Sequence, residues 1–176
     1  MRANEKRLWA TLVRNGIQHS LGASVVASLF AAMRRAPVIV IPLLDASVAA
    51  CAAACRAADA LGTRICVVVI DISFTPVALS RMDGAFASAV AVATAKAHAA
   101  MNFRRATIDM VGQWKDSTVQ ALMVAEPRIV VVGGGVPVPS RDDGVVAAVG
   151  VSGATEAQDS EIAQQAALVL AAALAG

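Results

Sequence analysis

Val67, Val68, Val69 and Ile70 form an uninterrupted apolar run of strand length, the pattern of a β-strand buried on both faces. Such a strand cannot lie against water, so the alanine-rich segments around it are read as helices that cover a sheet. Upstream, Val38 to Leu44 reads as a short extended lead-in interrupted by Pro42, which has no N–H for a sheet ladder. Asp45 or Ser47 then caps a helix predicted to run to Leu61, where Gly62 supplies the stop.

Downstream, Thr75 to Arg81 returns as the second strand of a hairpin, with its turn around Ile72, Ser73 and Phe74. Ala85 to Met101 is predicted helical, and Ala106 to Ala125 holds one or two shorter helices before Pro127. Ile129–Val132, Val136–Pro139 and Val145–Val151 read as three more strands, separated by Gly133–Gly135 and by Asp142–Gly144. Thr155 caps a final helix, with Glu156 and Asp159 favourable near its positive end. Five strands with hairpin-length connections and grouped helices imply an α+β fold, not a parallel nucleotide-binding sheet. Gly133–Gly135 is not a dinucleotide loop, because it lacks the GxGxxG spacing and leads into a predicted strand.

Alanine and valine must supply the packing, since the 176-residue chain is 57% hydrophobic but only 3% aromatic, with no tyrosine. Small side chains permit close approach yet bury little area each, which implies that association supplies part of the stability and predicts a homo-oligomer. A formal charge of +2 distributed among both signs gives no reason to invoke nucleic acid, whose binding needs a concentrated basic face; only the amino end, with Arg2, Lys6, Arg7, Arg14, Arg34 and Arg35, is locally basic. Cys51, Cys55 and Cys66 match no metal or secreted-disulfide framework; they read as small thiols in a reducing compartment, hence a cytoplasmic protein. Residues 1–40 are read as an amino-terminal helical extension, from Leu8, Leu12, Leu21, Val25, Leu29 and Met33 at helical spacing, preceding a domain over 41–176. The apolar stretch Leu21–Met33 is too short for a membrane span, and the small-residue cleavage pattern of a secretory signal is poor.

Two stretches carry the local chemistry. Arg81, Met82, Asp83, Gly84 and Ala85 are predicted to open a helix, and Gly150, Val151, Ser152 and Gly153 close a strand before another. Free N–H groups and the helix dipole at such junctions favour an anion or an oxygen-rich ligand edge. No HExxH, nucleophile-elbow or Walker signature is present, and no metal site is read.

Taken in order, Leu44, Val48–Ala60, Val67–Asp71, Leu79–Ala85, Ala93–Ala97, Phe103–Thr107, Gly134–Pro137, Gly144 and Gly150–Asp159 resemble the GlcG/HbpS-like family. Its members include haem-binding proteins and the C-terminal domain of some cobalamin adenosyltransferases. The resemblance implies a profilin-like five-stranded antiparallel sheet with helices on both faces, a three-layer α/β/α arrangement. It also implies an oligomeric small-ligand-binding protein, with haem or a related tetrapyrrole as the candidate ligand. Three positions depart from the family pattern: Phe74 stands for Gly in Asp-x-x-Gly, His98 for Thr in Lys-Ala-x-Thr-Ala, and Ala106 for Pro before Thr107. A bulky side chain at a glycine-specific turn position narrows or relocates the turn.

In that reading Arg81 offers a planar fork to a carboxylate, with Lys96 as its cationic partner and Asp83 and Gly84 at the pocket rim. Gly134, Gly135, Ser152 and Gly153 complete the ligand-binding set, and Thr107 or His98 stands near haem iron. The plainer readings are that Arg81 pairs with Asp83 or the two cap the helix, His98 is a packed residue, and Ser152 is a hydrogen-bonding residue rather than a nucleophile. The alternative function is a cofactor-independent enzyme on a small carboxylated or ring-derived metabolite, with His98, Asp83 and Glu156 exchanging protons. A purely structural assembly is the third class.

Overall fold

The computed structural model of the chain describes residues 43–140 and 144–175. The amino-terminal extension expected over 1–40, the lead-in from Val38 to Pro42 and the turn at Asp142 and Asp143 lie outside the described residues. Helix α1 spans Leu43–Ala60, so Leu43 and Leu44 are helical where the pattern predicts extended chain, and Asp45 and Ser47 lie inside the helix instead of capping it. The reason is burial: Leu43 packs against the core beneath α1. The stop is where Gly62 predicts it, with φ +65° there and Thr63 N donating to Ala58 O at 2.9 Å.

Strands β1 (Cys66–Asp71) and β2 (Pro76–Arg81) form the expected hairpin. Helix α2 covers Ala89–Phe103, starting four residues after Ala85. Residues 82–88 are taken up by turns, in which Ala85 N donates to Met82 O and Ala89 N to Phe86 O. Two 3-10 turns, Thr107–Met110 and Gln113–Lys115, and helix α3 (Ser117–Ala125) fill the next stretch. Strands β3 (Gly135–Pro139) and β4 (Val145–Ser152) lead into helix α4 (Glu156–Ala175). No described helix is long and apolar enough to cross a membrane.

The sheet is four-stranded and antiparallel, in the order β2-β1-β4-β3. Central β1 is buried on both faces, as its composition requires. Val67, Val69, Val136, Val138, Val149 and Val151 pack with the alanines of α1 and α4 on one side. Cys66, Val68, Ile70 and Ala148 pack with Ala89, Ala93, Ala97 and Ala100 of α2 on the other. The α+β class and the helical layers on both faces therefore hold. The α2 side is close-packed through backbone: Gly135 and Gly150 are register partners, and a Cβ on either would collide with the carbonyl of Lys96 or Ala93. The scarcity of aromatics follows, because a helix lying this near a sheet leaves no room for large rings.

The expected fifth strand, Ile129–Val132, is not one. That segment crosses α2, with Val130 N donating to Ala95 O at 3.4 Å, and buries Ile129 and Val131 against Ala99 and Met110. Alternating burial of β-branched residues is thus satisfied against a helix instead of a ladder. The outer edge of β3 is closed to another strand: Thr107 Oγ1 accepts from Gly135 N at 2.8 Å, and Pro137 and Pro139 have no N–H to offer.

Candidate functional site

Antiparallel pairing brings the two junctions to one end of the sheet. Arg81, Cys66 and Ser152 lie side by side across β2, β1 and β4. Met82 N donates to Ile65 O at 2.9 Å, while Gly84 and Gly153 both lie against Arg64, which pairs with Asp59. Gly153, at φ +142°, leaves no space for a Cβ beside the Arg64 carbonyl.

The anion site read at the second junction is filled by the protein itself. Thr155 and Gln158 form a reciprocal capping box on α4: Thr155 Oγ1 accepts from Gln158 N, and Gln158 Oε1 from Thr155 N, both at 3.3 Å. Ala154 N donates to Asp159 Oδ1 at 3.0 Å. The first junction is not a helix start at all, since Arg81–Gly84 precedes α2 by a series of turns.

Lys96 is likewise committed. Its Nζ donates to Asp159 Oδ2 at 2.7 Å and to Val151 O at 3.0 Å, with both side chains buried. It therefore does not form an anion-binding pair with Arg81. A buried lysine needs a carboxylate partner, and this one also ties α2 to β4 and to the first turn of α4. Gly134, at φ +118°, makes room for the pair: a Cβ there would lie 2.6 Å from Val151 O and 3.0 Å from Lys96 Nζ. Gly134 and Gly135 thus serve close packing, and Thr107, fully buried, spends its hydroxyl on Gly135. The sequence reading missed Asp159 as the partner of Lys96. Its signal was spacing, because Asp159 shares a buried stripe with Ile162, Ala163 and Ala166.

Arg81 remains open to a ligand. It is exposed, and no ion pair joins it to Asp83 among the described residues. Leu79 pairs with Val68 and Arg81 with Cys66, both of which belong to the α2-side core, so Leu79 and Arg81 share that face. The helix does not close over it: Leu79 is 44% exposed, and Phe86 in the following turn is 69% exposed. Burial pushes the Cys66 thiol beside Arg81 up to about 11, with the guanidinium acting in the opposite direction.

His98 is at the other end of the hairpin. Its ring meets Phe74 edge-on, centroids 5.5 Å apart and planes at 85°. Nε2 is buried with no hydrogen-bond partner. Burial, and next the Arg128 guanidinium, hold the imidazole below its ordinary value, against a hydrogen bond to the Phe74 backbone and the Glu126 charge. Phe74 has φ +60°, so the position where the family pattern has glycine is indeed left-handed. Two of the three departures from the pattern therefore touch each other. Asp83 and Glu156 are exposed, in the turn after β2 and the first turn of α4. The fold does not gather them with His98 into a proton-transfer group, and Ser152 lies beside Cys66 with no base next to it in the sheet row.

No curated protein matches the chain. Among solved structures, the Klebsiella pneumoniae protein ORFY is similar at 30% identity, covering 73% of this chain and 90% of that one, with TM-score 0.68. A double mutant of Streptomyces reticuli HbpS shares 29% identity over 72% of this chain and 84% of that one, with TM-score 0.64. A PduOC:heme complex shares 25% identity over 70% and 91%, with TM-score 0.62. Residues 42–168 match the family described as haem degrading protein HbpS-like, and this chain belongs to that HbpS-like family.

Proposed function

We propose that this chain is a small-ligand-binding protein whose ligand is haem or a related tetrapyrrole. The observation that carries the reading is the uncovered α2-facing side of β2, where exposed Leu79 shares a face with the exposed guanidinium of Arg81 and exposed Phe86 stands in the turn that follows. A tetrapyrrole is a flat apolar ring edged with carboxylates, and this shelf offers one surface for the ring and one fork for a carboxylate. Membership of the HbpS-like family and the likeness to a haem complex support the same ligand class.

Of the residues expected to hold haem, Arg81 fits, with Asp83 and Gly84 in the turn beside it. Lys96 and Thr107 do not, because both are buried and engaged. His98 Nε2 faces protein on every side, so no iron ligation is assigned to it. Bound iron would supply redox chemistry, while the chain's own part is to seat the ring and neutralise its acid edge. The three free cysteines support a reducing, cytoplasmic setting, and the small-residue core supports a homo-oligomer.

Titration of the ligand-free full-length protein with haemin, followed by absorbance, tests the reading. Saturable binding at a defined stoichiometry is expected, weakened about tenfold or more in Arg81→Ala through loss of a charge-assisted bond. A titration with no saturable spectral change overturns it.

A further inference from the structure

Helix α1 carries a row of polar atoms along a side that is otherwise alanine. Ser47, Cys51 and Cys55 follow one another at four-residue intervals, which makes them neighbours on the helix surface. Because each Cα–Cβ bond tilts toward the helix N-terminus, Cys55 leans toward Cys51 and Cys51 toward Ser47. The row emerges from the core along its length: Ser47 is fully buried, Cys51 is 2% exposed and Cys55 is half-buried.

The protein leaves this row short of partners. Ser47 Oγ is buried with no hydrogen bond, a cost that a filled polar site would offset. Cys51 has the Ser80 hydroxyl of β2 beside it and Cys55 next along the helix. One interval beyond Cys55, the Asp59 carboxylate is held by Arg64. Both thiols are free, and the third, Cys66, belongs to the α2-side core on the opposite face of the sheet.

Helical spacing decides what two such thiols can do. Cβ atoms four residues apart on a helix lie roughly 5–6 Å from each other, whereas a disulfide needs about 3.5–4.5 Å. Oxidation to a disulfide would have to unwind α1. A metal ion about 2.3 Å from each sulfur bridges the wider gap with the helix intact. Among the described residues no three His, Cys, Asp or Glu side chains gather to hold a metal, so the four ligands that structural zinc requires are not assembled. The chemistry left to a pair of thiolates is that of a soft ion of low coordination number, for which copper(I) is the biological case. Such an ion needs no four-cysteine framework, and the spacing of the cysteines provides none.

We propose that Cys51 and Cys55 form a two-sulfur site for copper(I), open at Cys55 and buried toward Ser47. The ion takes the place of both thiol protons, which leave to solvent, and its oxidation state does not change. Burial keeps the empty site protonated, with Cys51 pushed up to about 11, so uptake competes with protons and strengthens as pH rises. The Arg56 guanidinium favours the thiolate of Cys55 and offsets the negative charge that two thiolates leave around a monovalent ion.

The test uses the reduced full-length protein with air excluded. Copper(I) is titrated in competition with a colorimetric copper(I) chelator, and X-ray absorption reads the atoms bound to the ion. The expected result is one equivalent drawn from the chelator, two sulfur neighbours and tighter uptake at higher pH. Uptake is lost in Cys51→Ala and in Cys55→Ala and retained in Cys66→Ala. Cys55 is only half-buried, so its variant keeps the fold, which circular dichroism checks. No uptake by the wild type, uptake retained in Cys55→Ala or lost equally in Cys66→Ala, or zinc bound at the same stoichiometry overturns the site. No haemin is present, so the outcome stands apart from the tetrapyrrole reading.

Discussion

At the residue scale the buried Lys96–Asp159 pair is the most costly feature to disturb. Lys96→Met leaves a buried carboxylate without its counter-charge and is expected to lower stability by about 3–5 kcal/mol, read from the urea midpoint at unchanged slope. Adding Asp159→Leu to that variant is expected to recover part of the loss, because both buried charges are then gone. A loss under about 1 kcal/mol in the single variant would show the pair to be solvated. The individual residues were legible: Arg81, Lys96, His98, Phe74 and Thr107 all stand out by type and position. Their partners were not, since Lys96 meets Asp159 63 positions away and His98 meets Phe74 across two elements.

At the scale of elements, the contact of α2 with the sheet depends on paired glycines. Gly150→Ala puts a methyl into the Ala93 carbonyl, where backbone cannot yield as a side-chain tip would. We expect a loss of about 1–3 kcal/mol or more by thermal or denaturant unfolding, whereas Gly144→Ala, whose added methyl would meet Ser140 Oγ at 3.4 Å, should change little. Equal effects would mean that the helix rides higher on the sheet. The hairpin, the long helices and the last two strands were readable from periodicity, because each buries a face its own pattern defines. Ile129–Val132 was not, since four β-branched or aliphatic residues look the same whether they pair in a ladder or lie across a helix. The start of α2 was misread for a related reason: alanine favours helix everywhere, and only the turns at 82–88 decide where it begins.

At the scale of the whole molecule, the small-residue core buries little area per side chain, and apolar groups such as Leu44, Val48, Val124 and Leu168 remain exposed. The expected consequence is self-association, so light scattering should return a molar mass that is a multiple of 17.9 kDa. A monomeric mass at micromolar concentration would remove that expectation. The sequence by itself determined the α+β class, the doubly buried central strand and the glycine stop after α1, because these follow from local pattern and backbone sterics. Only the tertiary structure decided that the sheet stops at four strands, that Lys96 is spent on Asp159, and that Arg81 alone of the cationic pair stays open. Each of these turns on which groups, distant in the chain, satisfy one another's hydrogen bonds and charge once buried, and local pattern carries no record of that pairing.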